Sequence, residues 1–294
     1  MDELLVELEW GSASESFPLF DLPDMASSWW GQLYLDGLIA GSDICILSTF
    51  LTVCMKLQTS RSGAGLSLQT MLAVVGARTL HVMSHPIGVH YLPSVLPWSL
   101  FATMDALNAC LGLSCLWFFL TYYYPSYERE KDNFGIQLVH RLGDLGVLPK
   151  TQRFQTGPLA AGAFLYSAVI LGAFGWYLVR RSPMSFASSY FCCFYEVLTA
   201  FALLPQLWMF YQDKRVSNLL ANFVVFTALN RLCTLCFWIS YPWVYTYRYP
   251  DNRGNQIISE LLNLAILSDF LYFWAKSKLK GQKEVVIEDA SFAV

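Results

Sequence analysis

The sequence contains seven apolar stretches, each long enough to cross a membrane as a helix. We predict spans at roughly residues 33–56, 66–84, 100–123, 158–180, 186–212, 217–240 and 257–276. A transmembrane helix needs about 20 predominantly apolar residues. Only 14% of the residues are charged, whereas soluble domains have about a quarter, so the chain cannot cover a water-facing surface. The sequence therefore predicts an all-α, polytopic membrane protein with seven transmembrane helices.

Lysine and arginine are unequally divided between the two ends of these helices. With seven spans, 13 of them fall on one side and four on the other. Cytosolic segments carry the excess of positive charge, so we expect the long 125–157 loop and the 279–294 tail to be cytosolic. The acidic residues 1–30 then form a non-cytosolic tail. The transmembrane domain is expected to occupy residues 31–278.

Ionisable residues inside spans are the first candidates for a functional site, because they are costly in a membrane and usually face a cavity or a partner. Three pairs of residues are spaced so that each pair shares one helix face: Arg78 and His81, Glu196 and Thr199, and Arg231 and Trp238. These faces predict a polar cavity in which Arg78 and Arg231 receive a carboxylate. The alternative is that the charged groups pair with each other and only hold the helices together.

Patterns typical of enzymes and metal proteins do not occur in the sequence. There is no nucleophile–base pair, phosphate-binding loop or nucleotide fingerprint, and the four histidines lack the spacing of metal ligands. Cys233 and Cys236 lie inside one predicted span without a second pair, so we interpret them as packing residues. The net charge of −3 gives no reason to expect nucleic acid. We expect no enzyme, no cofactor and no bound metal.

Five short sequence motifs occur along the chain. They are Lys56 with SRSGAGLS at 60–67, the pair Ala77-Arg78, LLPQL at 203–207, Arg231 with Trp238, and DFLY at 269–272 leading to KGQK at 280–283. Together they resemble the KDEL-receptor (ER lumen protein retaining receptor) family over roughly residues 35–283. The resemblance implies the 3+1+3 helix bundle that this family shares with PQ-loop and SWEET-type transporters.

The resemblance also implies a function. Such receptors bind the C-terminal tails of escaped ER lumenal proteins in the acidic Golgi, return in coated vesicles and release their ligand at neutral pH. By position, Arg78 and Arg231 belong to the ligand cavity, and Trp238 shapes its wall. Three residues belong to retrieval, with vesicle coat proteins as partners of the cytosolic tail: Asp269, Lys280 and Lys283.

Several positions depart from the family's pattern. His81 replaces an acid that would meet a lysine of the ligand, and Thr199 replaces a glutamate, with Glu196 one turn away. The chain therefore predicts altered tail specificity. The expected ligand-binding residues are Arg78, Thr79, His81, Glu196, Thr199, Asn230, Arg231, Trp238 and Tyr241. His81 is also a candidate pH sensor.

Two other classes of protein are compatible with the sequence. A small-solute transporter of the PQ-loop or SWEET type would use the same bundle, with its substrate at the repeat interface. A scaffold that sorts other proteins without binding a tail would explain the substituted ligand positions and the long 125–157 loop.

Overall fold

The computed structural model of the chain describes residues 29–84, 94–136, 158–179, 186–244 and 253–287. The acidic residues 1–28 and most of the predicted 125–157 loop lie outside these ranges. The helices are α1 (Trp29–Ser60), α2 (Leu68–Ser84), α3 (Trp98–Phe118), α4 (Pro158–Val179), α5 (Phe186–Phe201), α6 (Leu204–Asp213), α7 (Asn218–Val244) and α8 (Arg253–Leu279). Short π-helical and 3-10 turns extend α3 as far as Ser126.

Five helical segments of the described chain are long and apolar enough to cross a membrane. They run over Trp29–Ser60, Trp98–Ser126, Ser189–Asp213, Asn218–Val244 and Gly254–Leu279. The remaining two predicted spans coincide with α2, which has 17 residues, and with α4. The prediction of a helical membrane protein is therefore confirmed. The count of seven spans stays a prediction.

The core of the bundle is apolar and built from large side chains. Helix α1 packs along α7 and also against α3. Phe50 of α1 and Phe223 of α7 are fully buried, as is Phe119 at the end of α3. Gly112 lets α3 approach α1 closely, because a Cβ atom there would stand 2.8 Å from Cζ of Phe50.

The fifth apolar stretch is broken in the middle. Helix α5 ends at Phe201 and α6 begins at Leu204, immediately before Pro205. Proline has no N–H group and its ring clashes with the preceding turn, which explains a break at this point. The next backbone N–H, that of Gln206, donates to Thr70 Oγ1 of α2 at 3.0 Å, so the break leaves this buried donor satisfied.

Gln206 joins the broken helix to the start of α2. Its side chain is fully buried. The amide oxygen accepts from the N–H of Ser67 at 2.9 Å, and the amide nitrogen donates to the carbonyl of Gly65 at 2.7 Å. Since these are backbone groups, the glutamine fixes the 65–67 turn at this end of the bundle.

Asp132, in the segment after α3, bonds to the same 65–67 turn. It is 2% exposed and accepts from the hydroxyl groups of Ser67 and Tyr127, at 2.8 and 2.5 Å. Burial, together with the neighbouring Asp132 carboxylate, raises the pKa of Tyr127, so the phenol keeps the proton that it donates. Lys131 next to Asp132 pairs with Asp213 of α6 at 2.7 Å.

A two-stranded ribbon is the only β-sheet among the described residues. Strand β1 (Arg215–Ser217) pairs antiparallel with β2 (Glu284–Val286). Val216 lies opposite Val285, and both side chains are buried. The ribbon therefore attaches part of the expected C-terminal tail to the connection between α6 and α7.

Candidate functional site

Side chains of helices α1, α2, α5 and α7 line a cavity beside the break between α5 and α6. Its volume is about 40 Å³, and a water molecule needs roughly 10–15 Å³ on this measure, so the cavity has room for a few waters. Its polar lining consists of three threonines, one tyrosine, one asparagine and two arginines: Thr49, Thr199, Thr227, Tyr195, Asn230, Arg78 and Arg231.

Both arginines lie deep within their helices. At 1.5 Å per residue, Arg78 is about 15 Å along α2 from its first residue, and Arg231 is about 20 Å along α7. The hydrocarbon core of a bilayer is about 30 Å thick. A guanidinium group at such a depth needs a partner, because an unpaired charge there is costly.

Arg78 is held by two carboxylates. Its Nη2 atom donates to Asp43 Oδ1 of α1 at 2.6 Å and also to Asp105 Oδ1 of α3. None of the three side chains is more than 7% exposed. Charges in such surroundings are stable only when they are paired, so this network ties three helices together.

Arg231 is held by one carboxylate, and less closely. Its Nη1 atom donates to Glu260 Oε1 of α8 at 3.3 Å, which is long for a hydrogen bond between charged groups. The two side chains are 13% and 6% exposed. With one long contact instead of two short ones, Arg231 is the arginine better able to accept an incoming anion.

Two atoms of these networks have no hydrogen-bond partner among the described residues. They are Nε of Arg78, a donor, and Oε2 of Glu260, an acceptor. Buried polar groups in native proteins are nearly always bonded, and each unsatisfied one costs about 1–3 kcal/mol. The two networks therefore leave one buried donor and one buried acceptor unpaired within the described residues.

The other polar groups of the cavity are bonded within the protein. Asn230 donates through Nδ2 to the carbonyl and the hydroxyl of Ser42, at 3.2 and 2.5 Å, which ties α7 to α1. The hydroxyl groups of Thr199 and Thr227 donate to carbonyls one turn earlier in their own helices. Their oxygen atoms keep lone pairs that can accept a further hydrogen bond.

His81 lies behind the cavity wall. Its ring stacks on that of Tyr195, with a centroid separation of 5.0 Å and an interplanar angle of 27°. Its Nε2 atom is 3.5 Å from Asp105 Oδ2, and its side chain is 33% exposed. A proton on His81 would therefore act on the cavity through Asp105, which also holds Arg78. The neighbouring Thr79 donates its hydroxyl to Val75 of its own helix.

Glu196 faces away from the cavity, towards α4 and α8. Its carboxylate accepts from Trp176 Nε1 at 2.9 Å and from Nε2 of Gln256. Trp238 and Tyr241 lie further along α7, with ring centroids 6.2 Å apart, and pack in an apolar cluster with α1.

The cavity thus brings together four of the nine predicted ligand-binding residues: Arg78, Thr199, Asn230 and Arg231. Three carboxylates that partner its arginines were not in the predicted set: Asp43, Asp105 and Glu260. Their involvement could have been expected from the sequence, because an acidic residue inside a membrane span usually pairs with another polar group. Which arginine each acid meets depends on how the helices pack.

The predicted retrieval residues lie in the second half of α8 and in the turn that follows it. Asp269 accepts a hydrogen bond from the hydroxyl of Tyr211 in α6 at 2.7 Å. Lys280 and Lys283 are exposed on the turn between α8 and β2. The turn is therefore anchored on one side by α8 and on the other by β2, which pairs with β1.

Comparison with known proteins gives two matches. The model of a family described as ER lumen protein retaining receptor matches residues 62–241, which is more than half of the chain. An ER lumen protein-retaining receptor of Dictyostelium discoideum is similar to the chain, with 22% identity over 249 residues. The aligned region covers 83% of this chain and 95% of that receptor.

Proposed function

The chain belongs to the ER lumen protein retaining receptor family, and on this basis we propose that it binds the C-terminal tails of ER lumenal proteins and returns them from the Golgi to the endoplasmic reticulum. The observation that carries the proposal is a pair of guanidinium groups in the wall of one cavity: Arg78, which is buried, and Arg231, whose side chain is 13% exposed. Arginine presents a planar set of donors that matches a carboxylate. A free C-terminus is the one carboxylate common to all such tails.

The architecture that we propose is a seven-span bundle of the 3+1+3 type, formed by residues 31–278. The unequal division of lysine and arginine favours a cytosolic 279–294 tail, a cytosolic 125–157 loop and a lumenal 1–30 segment. The bonds of Gln206 and Asp132 close the end of the bundle that carries the ribbon. A ligand would then reach the arginines from the opposite, lumenal end.

Tail binding requires the cavity to widen. A volume of about 40 Å³ admits a few waters, whereas sites for small organic ligands occupy roughly 300–1,000 Å³. The break before Pro205 offers a place for this change, because residues 202 and 203 lie in the cavity wall without belonging to either helix.

His81 is the group that we propose as the pH sensor. Histidine titrates near pH 6.5, within the range that separates the Golgi lumen from the endoplasmic reticulum. Protonated His81 would attract Asp105, at 3.5 Å, and loosen the hold of that carboxylate on Arg78. The added positive charge and the released arginine both favour an anionic ligand. Binding is therefore expected to strengthen as the pH falls through about 6.5.

Retrieval is assigned to the cytosolic end of α8. Lys280 and Lys283 are exposed on a turn that the ribbon holds, which suits recognition by vesicle coat proteins. Asp269, ten residues before the last residue of α8, connects this helix to α6. Of the remaining predicted ligand residues, two line the cavity, Thr199 and Asn230, whereas four lie outside its lining: Thr79, Glu196, Trp238 and Tyr241.

The experiment that tests the proposed function is binding of C-terminal peptides to the purified full-length protein at acidic and neutral pH. Each peptide is compared with the same sequence ending in an amide. We expect binding that is stronger at acidic pH and is lost on amidation. Equal binding of acid and amide forms at both pH values would contradict the proposal.

A small-solute transporter remains the second candidate. The specific observation in its favour is the small polar cavity beside a broken helix, since such folds form their substrate site from interrupted helices at the repeat interface. Uptake into proteoliposomes distinguishes the two functions, because a receptor moves no solute across the membrane.

A further inference from the structure

The end of α8 carries an exposed apolar side chain among lysines. Leu279, the last residue of the helix, is 90% exposed, the largest value that we find for a large apolar residue of the described chain. Lys278 and Lys280 flank it in the sequence, and both are exposed. A single exposed leucine is ordinary on a protein surface, so its meaning depends on the direction in which it points.

Leu279 continues the outward, apolar side of α8, which is one of the helices long and apolar enough to cross a membrane. Leu261 and Tyr272 are exposed on the same helix, by 50% and 59%. Leu261 lies 18 residues before Leu279, which is about five turns, and Tyr272 lies within about 20° of the line that joins them. This line is about 27 Å long, close to the roughly 30 Å of a hydrocarbon core. Leu279 is therefore placed at the edge of the hydrocarbon, facing lipid.

Two segments of the chain bring cations to this edge. The end of α8 with the turn after it contributes four lysines, and the connection between α6 and α7 contributes a lysine and an arginine: Lys276, Lys278, Lys280, Lys283, Lys214 and Arg215. Lys276 is partly buried, and the other five are exposed. The ribbon joins the two segments, because β1 pairs with β2. Lys278 Nζ also donates to Asn218 Oδ1, directly after β1, at 2.9 Å. The six residues therefore form one basic surface.

Few acidic residues balance the basic surface. Residues 213–218 and 276–287 contain two, Asp213 and Glu284. Asp213 pairs with Lys131 at 2.7 Å, a cation outside these segments, which leaves Glu284 against the six cations. Glu288 and Asp289 follow in the sequence, outside the described residues. Even with these two acids counted, the cations outnumber the acids by six to three.

We propose that the basic surface binds anionic phospholipid headgroups of the cytosolic leaflet. A cluster of about four to eight lysines and arginines directly after a membrane-spanning helix attracts such lipids, and each cation strengthens the attraction about fivefold. Leu279 favours lipid over a coat protein as the partner, because it points into the hydrocarbon and so holds the flanking lysines at the depth of the headgroups. The inference goes beyond the proposed function: it uses the cytosolic orientation of this end and does not depend on tail binding.

The test is native mass spectrometry of the purified full-length protein with bound lipid. The protein is incubated in detergent with equal amounts of phosphatidylinositol bisphosphate, phosphatidylserine and phosphatidylcholine that have the same acyl chains. We expect the retained amounts to follow the negative charge of the headgroup, with about tenfold or more of the bisphosphate over phosphatidylcholine. Equal retention of the three lipids would overturn the proposal, and this result is read from the unmodified protein.

Variants then locate the lipid site. Arg215→Gln combined with Lys278→Gln removes two cations of the basic surface without changing the lysines assigned to retrieval. Retention of the bisphosphate is expected to fall about tenfold, with phosphatidylcholine unchanged. The matched control is Arg61→Gln combined with Arg129→Gln, which removes two exposed cations outside the two segments and should bind lipid as the wild type does. An equal loss in both variants would mean that total charge attracts the lipid and would overturn the proposal.

A protein partner at the basic surface would give a different result. Coat subunits would then bind the wild type in nanodiscs of phosphatidylcholine alone, and the Arg215 and Lys278 variant would lose this binding while its lipid retention stayed unchanged. That outcome would overturn the lipid proposal. The test is also separate from that of the proposed function, because the basic surface and the cavity share no residue. Absence of lipid selectivity leaves tail binding standing, and absence of tail binding leaves the lipid site standing.

Discussion

Arg78→Ala should destabilise the protein severely. The substitution removes the cation shared by Asp43 and Asp105, whose side chains are at most 7% exposed. Breaking a buried ion pair by removing one partner costs about 3–5 kcal/mol, because the other charge stays buried without compensation. Here two carboxylates are left, so we expect a loss towards the upper end of that range.

The same reasoning predicts a rescue. Adding Asp43→Asn and Asp105→Asn to Arg78→Ala removes both uncompensated charges, and we expect most of the lost stability to return. The assay is unfolding of the detergent-solubilised protein by increasing fractions of denaturing detergent, followed by tryptophan fluorescence. A loss below about 1 kcal/mol for Arg78→Ala, well under the range for buried pairs, would refute the reasoning. So would a triple variant no more stable than the single one.

Four further changes test other parts of the structure. Gln206→Leu leaves one buried and one partly buried backbone group without partners and should cost about 2 kcal/mol in the same unfolding assay. Gly112→Ala forces a Cβ atom to within 2.8 Å of the buried Phe50 ring and should cost about 1–3 kcal/mol; unchanged stability would mean that α3 can move away. Val285→Asp puts a charge in a fully buried position, so the C-terminal tail should become sensitive to protease while the bundle stays folded. His81→Ala should flatten the pH dependence of peptide binding, and an unchanged profile would exclude His81 as the sensor.

Much of the fold could be predicted because a helix that crosses a bilayer needs about 20 predominantly apolar residues. The apolar stretch at 66–84 corresponds to α2 at Leu68–Ser84, and the stretch at 217–240 to α7 at Asn218–Val244. The stretch at 186–212 was predicted as one span, and the break that Pro205 introduces between α5 and α6 was not foreseen. The ribbon could not be foreseen, because strands of three residues carry too little pattern to predict their pairing.

The two arginines of the site could be predicted from the sequence, but the carboxylates that pair with them could not. Arg78 and Arg231 stand out because charge inside a span is rare. Glu196 was expected on the cavity face with Thr199, yet three residues along a helix turn by about 300°, which leaves the two side chains about 60° apart. That angle is enough for Thr199 to line the cavity while Glu196 contacts Trp176. Trp238 shares a face with Arg231 but lies about 10 Å further along the helix.

Pairings between helices need packing information that sequence does not contain. Glu260 meets Arg231 because α7 and α8 run side by side with these residues level. Neither the depth nor the rotation of one helix relative to the other follows from its apolar pattern. The same holds for Asp105, whose contact with Arg78 depends on how α3 lies against α2.

The most direct test of the central claim is the thermodynamic coupling between Arg231 and the ligand's terminal carboxylate. Affinities are measured for one peptide in its free-acid and amide forms, with the wild-type protein and with Arg231→Gln. If the guanidinium group holds the carboxylate, the acid should bind the wild type more tightly than the amide by about 1.5–3 kcal/mol, and this difference should nearly vanish in the variant. A difference of the same size in both proteins would show that the carboxylate binds elsewhere and would contradict the proposed site.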